Sequence, residues 1–263
     1  MTQDNDDNKN HGNGRWWEFY AVRYAMGSVV GALIVTSFFL KLTGKDPSAF
    51  FGKNESTTII FCLFILGLGY SYISSAPILV LHTARFYITN LSNELDKKDK
   101  IKYIYFPLLV IFIFVLVLMC FLNFRYSVPL GTAIPVGLFF SIFLWLVFLQ
   151  KKALDGVTKN YSLFYKRYIT LSKRRQKDET NIVESYQHLR EHGNAFLILI
   201  CEVILTSVLY SAWDIIDFMH LNNPINCIIV FCLIIGLWTY QAMRVYLIAQ
   251  DMEGIFIDDS GSQ

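Results

Sequence analysis

Long apolar runs alternate with short polar segments along most of this chain. Six runs are nearly free of charge over about 17 residues or more, the length that a helix needs to cross the hydrocarbon core of a bilayer. A large soluble helical core would show regularly spaced polar faces, which these runs lack. The pattern predicts an all-α integral membrane protein with six transmembrane helices, at Tyr24–Leu40, Thr57–Leu81, Tyr103–Phe124, Ser127–Leu149, Ala195–Trp213 and Ile225–Met243.

The apolar runs and the polar segments divide the chain into five parts. We expect a disordered polar tail at 1–15, which is rich in Asn and Asp. The first four helices occupy 16–149, a long polar segment follows at 150–194, and the last two helices occupy 195–249. An acidic tail closes the chain at 250–263.

Composition and charge agree with a membrane protein and predict its orientation. The chain is 54% hydrophobic and 17% charged, whereas soluble domains are about 45–50% apolar and about 25% charged. Of the 23 lysines and arginines, 19 lie in the N-terminal segment, the second and fourth connections and the C-terminal segment. Because such residues stay cytoplasmic, we expect both termini inside. The richness in Asn, Lys, Ile and Phe suggests an AT-rich bacterial genome, so we expect a bacterial inner membrane.

The polar segment 150–194 shows helical periodicity. Apolar residues recur every three or four positions, at Val157, Tyr161, Phe164, Tyr168 and Leu171 and again at Ile182, Tyr186 and Leu189. This spacing predicts a cytoplasmic helical hairpin between helices 4 and 5. The fourth span would continue to about Arg175, turn near Gln176–Thr180 and return into the fifth span, so that each arm projects roughly 25–35 Å from the membrane.

The hairpin leaves two interpretations open. Its two apolar stripes pack on each other, or part of a stripe binds another subunit or a cytoplasmic protein. The residues of such a partner surface would be Phe164, Tyr168, Leu189, Lys173, Arg174 and Arg175. The basic run attracts anionic lipid or nucleic acid in principle, but no nucleic-acid-binding fold is evident, and we do not expect nucleic acid as a partner.

Small residues recur at helical spacing in the first two spans. Gly27 and Gly31 form a GxxxG motif, which lets two membrane helices approach closely. Gly67, Ser71 and Ser75 continue the pattern in the second span and predict a second seam for helix packing. Such seams favour a homo-oligomer or a tight contact within the subunit. Pro77 predicts a kink just after them.

Ionisable residues inside the spans or next to their ends form the candidate site. Glu202 lies in an apolar run, where a charge costs roughly 2.5–3.5 kcal/mol. Arg244 and His82 approach the same depth on other spans, so we predict an inner-leaflet polar layer of Glu202, Arg244 and His82, with Glu202 paired to Arg244. The layer is a structural clasp or a gate that titrates through the histidine. In a third interpretation, Glu202 is protonated and bonded to a nearby hydroxyl or a backbone carbonyl. Asp214 and Asp217 form a predicted outer acidic rim.

No motif points to catalysis or to a cofactor. The chain lacks HExxH, GxSxG and a Walker A lysine loop, so we expect neither an enzyme, nor a cofactor, nor a metal site. The first hypothesis is an oligomeric sensor or scaffold that couples the membrane helices to a cytoplasmic partner through the hairpin. The alternative is an ion-conducting channel or a membrane-disrupting effector, of the general build found among bacterial phage-defence proteins, gated by the polar layer.

Overall fold

The computed structural model describes residues 11–44, 56–84, 106–126, 130–159, 161–176, 182–219 and 223–260, and these residues are almost entirely helical. We number the helices in chain order. They are α1 (His11–Thr43), α2 (Ser56–Ser74), α3 (Ala76–Thr83), α4 (Phe106–Tyr126), α5 (Leu130–Lys159), α6 (Tyr161–Gln176), α7 (Ile182–Phe218) and α8 (Pro224–Ser260). The predicted all-α class is confirmed.

Four helical stretches within the described ranges are long and apolar enough to cross a membrane. They are Thr57–Thr83, Ile134–Lys159, Gly193–Phe218 and Ile225–Asp251. Many of their large apolar side chains are exposed, as lipid-facing residues would be, among them Ile60, Phe61, Phe64, Leu233 and Leu237. The chain is therefore a helical membrane protein with at least these four candidate spans.

The first and third predicted spans are too short, in the residues that the structure describes, to count as full crossings. The apolar parts of α1 and α4 are Ala25–Lys41 and Pro107–Phe121, about 25 Å or less at the helical rise of 1.5 Å per residue. The core of a bilayer is about 30 Å thick. The prediction of six spans thus stands for four of them, while the remaining two and the orientation of the termini stay predictions.

Pro77 separates α2 from α3, as the sequence predicts. Proline has no backbone N–H and cannot continue the hydrogen-bond ladder of the preceding helix. Ile78 N–H donates to Ser75 O at 2.9 Å. In a regular α-helix it would donate to Ser74 O. The carbonyl oxygen of Ser74 is released from that ladder and accepts a bond from the Trp238 indole N–H at 3.0 Å.

The helices group into two compact units. The first contains the described residues of 1–73 and 180–202, and the second those of 74–179 and 203–263. In the first unit, α1 and α2 meet at their glycines. A Cβ on Gly31 would strike the carbonyl of Gly67, and a Cβ on Gly67 would strike Ser28 O and lie 2.8 Å from Ala32 Cα. The predicted small-residue seams of the first two spans thus pack on each other within the subunit.

The second unit has a buried cluster where α3, α5, α6 and α8 meet, and α8 packs on both α3 and α5. The buried members are Val80, Ala84, Ala153, Leu154, Val157, Phe164 and Ile248. A smaller cluster joins α4 to α5 around Val115 and Met119.

The long polar segment 150–194 differs in part from its prediction. Helix α5 ends at Lys159 and α6 begins at Tyr161, so the fourth span does not continue as one helix to Arg175. On a continuous helix Phe164 would lie about 15 Å beyond Leu154, yet both belong to one buried cluster. The first turns of α6 therefore pack against the ends of the membrane helices. The predicted turn lies largely outside the described residues.

Candidate functional site

Polar side chains are buried inside the apolar helices of both units. Those that are less than a tenth exposed are Ser28, Ser71, Ser74, Ser141, Gln150, Glu202, Ser211 and Gln241. Glu202 and Gln150 are completely buried, and both lie within candidate spans. Buried polar groups at membrane depth are costly and commonly mark functional positions.

The Glu202 carboxyl group lies against the glycine seam of the first unit. Its Oε1 is 3.2 Å from the position that a Cβ on Gly27 would occupy, and the Ser71 hydroxyl contacts the same position. Ser71 also interacts with the carboxyl group. The Tyr70 hydroxyl donates to the backbone oxygen of Glu202 at 3.4 Å. Gly27 thus makes room for a carboxyl group and a hydroxyl that lie side by side.

Arg244 has a different acidic partner from the one that the sequence predicts. Its Nη1 is 3.0 Å from Oδ1 of Asp155 and donates to Oε1 of Gln241, also at 3.0 Å. The sequence analysis predicted that Arg244 pairs with Glu202, whereas in the structure Arg244 forms its ion pair with Asp155. Asp155 comes from α5, and the sequence analysis assigned it to the cytoplasmic segment rather than to the polar layer. The side chains of Arg244 and Asp155 are 28% and 42% exposed, so water reaches the pair.

Gln150 is a buried residue that the sequence analysis missed. It lies on α5 between Phe143, whose ring stacks on Trp238 at 5.3 Å, and Asp155, which pairs with Arg244. Within the described part of the chain, neither its amide oxygen nor its amide nitrogen has a hydrogen-bond partner. Gln241 occupies the corresponding stretch of α8, between Trp238 and Arg244. The only sequence signal for Gln150 was its place at the end of an apolar run.

The remaining predicted residues are distributed over several helices. His82 lies in the last turn of α3 and is partly buried, and Asp214 and Asp217 are exposed near the end of α7. The gate and the acidic rim stay predictions. Ser75 lies at the junction of α2 and α3, and its predicted role in helix packing stays a prediction.

The predicted partner surface on α6 requires a correction at Phe164. This side chain is 4% exposed and forms part of the buried cluster, so it does not lie on a docking surface. The burial follows from the break after Lys159, which turns the aromatic face of α6 toward the membrane helices. Lys173 is exposed. Tyr168, Arg174, Arg175 and Leu189 lie in helices, but their side chains are outside the described set.

These features define a helical membrane protein with a buried carboxyl group and a buried carboxamide in its spans. Among the described residues, no three His, Cys, Asp or Glu side chains are grouped so that they could hold a metal ion. No known protein family, no curated protein and no solved structure matches the chain.

We expect a small coupling energy between the side chains of Arg244 and Asp155. Replacing each residue and both residues by alanine should give a coupling free energy of about 0.2–1 kcal/mol, because both partners are partly exposed. The measurement is a double-mutant cycle on unfolding midpoints in detergent. Asp251 is the matched control, since it lies seven residues after Arg244, about 10 Å along the axis. Additive losses for Arg244 and Asp155 would contradict the ion pair.

We expect the environment of Tyr161 to make the stability of the protein depend on pH in the alkaline range. Its hydroxyl donates to Ile248 O at 2.8 Å, and burial together with the negative charge of Asp251 raises the pKa of this phenol to about 12 from an ordinary value of 10.0. The phenolate forms first in the unfolded state, so the contribution is complete below pH 10 and is lost as the pH rises to about 12. Tyr161→Phe should unfold more easily at pH 8, by about 0.5–1.5 kcal/mol.

The same variant should also lose less stability than the wild type between pH 10 and 12. The measurement is the difference between the two unfolding midpoints across that range. A difference that stays constant with pH would contradict the assigned environment of Tyr161.

Proposed function

We propose that this protein is a non-enzymatic, oligomeric membrane sensor or scaffold that couples its membrane helices to a cytoplasmic partner through α6. The observation that carries the proposal is the anchoring of α6. Phe164 is buried among residues of α3, α5 and α8, and Tyr161 bonds to the backbone of α8. A displacement of these membrane helices would therefore move α6, because closely packed interiors transmit strain.

The exposed face of α6 supports a partner of acidic character. Lys166, Thr170 and Lys173 are exposed and lie on the side opposite to Phe164 and Tyr165, which are 4% and 8% exposed. The aromatic face anchors α6 to the membrane helices, while the opposite face presents positive charge. An acidic protein surface complements such a face.

Photo-cross-linking in living cells tests this proposal. A photoreactive amino acid is placed at Lys166 or Lys173, and at Leu79 as a control, since Leu79 is 51% exposed within a candidate span. We expect a discrete protein adduct from the two α6 positions and not from position 79. In the background of Phe164→Ala, which releases α6 from the cluster, the adduct should fall severalfold at an unchanged protein level. The coupling is contradicted if no adduct forms, or if the amount of adduct is the same with and without Phe164→Ala.

The second candidate function is ion conduction, and a separate observation favours it. The Glu202 carboxyl group is completely buried in the span Gly193–Phe218, where a polar side chain commonly serves an ion pathway. The test is ion flux through liposomes that contain the purified protein. A change in flux on Glu202→Gln, with Asp155→Asn unaffected, favours conduction. Flux equal to that of empty liposomes in the wild type removes this candidate.

A further inference from the structure

One face of α8 packs on α3 and α5, whereas a second face is exposed along the whole candidate span. The residues of this second face, the α8 strip, are spaced three or four positions apart and so lie in one narrow line along the helix. They are Ile225, Ile229, Cys232, Gly236, Tyr240, Met243 and Leu247.

Tyr240 is the polar residue of the α8 strip. It is 59% exposed and lies two residues beyond Trp238, the central residue of the span Ile225–Asp251. Helical side chains lean toward the N-terminus, so the hydroxyl lies over the turn from Gly236 to Tyr240, which is about 6 Å long. That turn ends about 6 Å before Arg244 along the axis. The hydroxyl is therefore at hydrocarbon depth.

A hydroxyl at this depth needs an acceptor that lipid does not supply. Acyl chains have no hydrogen-bonding atoms, and a buried hydroxyl without a partner costs roughly 1–3 kcal/mol by protein mutational data. Within the described part of the chain, the Tyr240 hydroxyl has no hydrogen-bond partner. Lipid can cover the apolar residues of the α8 strip, but it leaves this group unsatisfied.

Gly236 makes the same strip suitable for close approach of another helix. No heavy atom lies within 4 Å of the position that its Cβ would occupy, and it is exposed. A glycine on a membrane helix bares the backbone and lets a neighbouring helix come near. Gly27, Gly31 and Gly67 serve this purpose within the subunit, where a Cβ would strike a neighbouring atom. They are therefore not available to a second subunit.

We propose that the α8 strip is the interface between two copies of this chain, with the Tyr240 hydroxyl of each copy donating to the exposed backbone carbonyl of Gly236 of the partner subunit. Around a two-fold axis parallel to the helices, equal levels of the two α8 helices face each other. The hydroxyl of Tyr240 lies over the turn from Gly236 to Tyr240. The carbonyl of Gly236 of the partner subunit points into the same turn of its own helix, because helical carbonyls point toward the C-terminus. A second copy thus places the Gly236 carbonyl of the partner subunit near the Tyr240 hydroxyl.

This inference rests on the oligomeric character of the proposed function and names the surface that would produce it. The coupling through α6 is tested at Phe164, Lys166 and Lys173, which are remote from the α8 strip in sequence. Either proposal can therefore fail while the other stands.

The test uses Cys232, a native thiol on the α8 strip that is exposed. Membranes that contain the full-length protein are oxidised with copper phenanthroline, and the mass is read on a non-reducing gel. We expect a covalent dimer of twice 30.4 kDa that disappears in Cys232→Ser. It should persist in Cys120→Ser, which removes an exposed thiol on α4. A dimer that survives Cys232→Ser overturns the proposal.

Two substitutions then test the contact without disturbing the fold. Gly236→Leu and the control Gly69→Leu both place a Cβ where nothing lies within 4 Å, and both positions are exposed. Gly236→Leu should reduce the cross-linked dimer at least tenfold, while Gly69→Leu leaves it unchanged. Tyr240→Phe removes both hydrogen bonds of the symmetric pair and should weaken association about eightfold, because one typical hydrogen bond between membrane helices contributes about threefold.

Mass photometry of the protein in nanodiscs gives an independent reading of the subunit number. A dimer in the wild type and in Gly69→Leu, with monomer in Gly236→Leu, supports the interface. A monomer in the wild type means that lipid alone covers the α8 strip. An oligomer that is indifferent to Gly236 means that another surface or another protein mediates assembly. Either of these last two results overturns the proposal.

Discussion

Gly67→Ala should destabilise the protein by about 1–3 kcal/mol or more, although alanine is by itself the better helix former by about 1 kcal/mol. The reason is the distance between α1 and α2. A methyl group on Gly67 would contact the carbonyl oxygen of Ser28 and the backbone nitrogen of Ala32, and would lie 2.8 Å from Ala32 Cα. These are backbone atoms, which cannot rotate away as a side chain does, so the helices must separate.

Gly69 is the control for this prediction, two residues further along the same helix. Nothing lies within 4 Å of its Cβ position, so Gly69→Ala should be neutral or stabilising by up to about 1 kcal/mol. The measurement is the unfolding midpoint of both variants in detergent, side by side. Equal midpoints for the two variants would show that α1 and α2 are not in backbone contact at Gly67.

Separation of α1 from α2 should also disturb the candidate site. Ser71 lies one turn after Gly67, and its hydroxyl meets the Glu202 carboxyl group beside Gly27. If Glu202 serves ion conduction, Gly67→Ala should alter flux at temperatures at which the variant is still folded. The glycine seam would then be a requirement of function as well as of stability.

Trp238→Ala should cost about 3–5 kcal/mol, the usual range for removing a large aromatic side chain from a core. Trp238 is completely buried, stacks on Phe143 with ring centroids 5.3 Å apart, and donates its indole N–H to Ser74 O. The substitution opens a cavity and also leaves that carbonyl oxygen without its donor.

Trp238→Phe separates these two contributions. Phenylalanine keeps most of the ring but not the N–H, so the loss should be smaller, about 1–3 kcal/mol, mainly from the unsatisfied carbonyl. Leu237→Ala is the matched control, because Leu237 is adjacent and 52% exposed; it should have little effect on the unfolding midpoint. Comparable losses for Leu237→Ala and Trp238→Ala would mean that the face of α8 on the core is assigned incorrectly.

The helices themselves could be predicted from the sequence, since an uncharged apolar run of sufficient length has few alternatives to a helix in a membrane. The break at Pro77 was predictable for a similar reason, because the missing N–H is a property of one residue. The small-residue motifs at Gly27, Gly31, Gly67 and Ser71 pointed to close helix packing. Sequence alone did not show that the motifs on α1 and α2 pack on each other rather than on a second copy.

The partner of Arg244 depended on tertiary structure. Sequence analysis placed charged residues by depth in the membrane, and several acidic residues lie near one boundary. Which of them meets Arg244 depends on the rotation of each helix about its axis and on its neighbours. The structure brings Asp155 to within 3.0 Å of Arg244, a contact between residues 89 positions apart. A pattern of apolar and polar residues contains no information about such a pairing.

Phe164 shows the same division between local and tertiary information. Its helical spacing with Tyr161 and Tyr168 correctly predicted a helix with an apolar face, because that property depends only on neighbours along the chain. The surface that covers the face was decided by the break after Lys159, which places Phe164 among Val80, Leu154 and Ile248. Helix formation is set by local sequence, whereas the burial of a helix face is set by the elements that the whole chain brings to it.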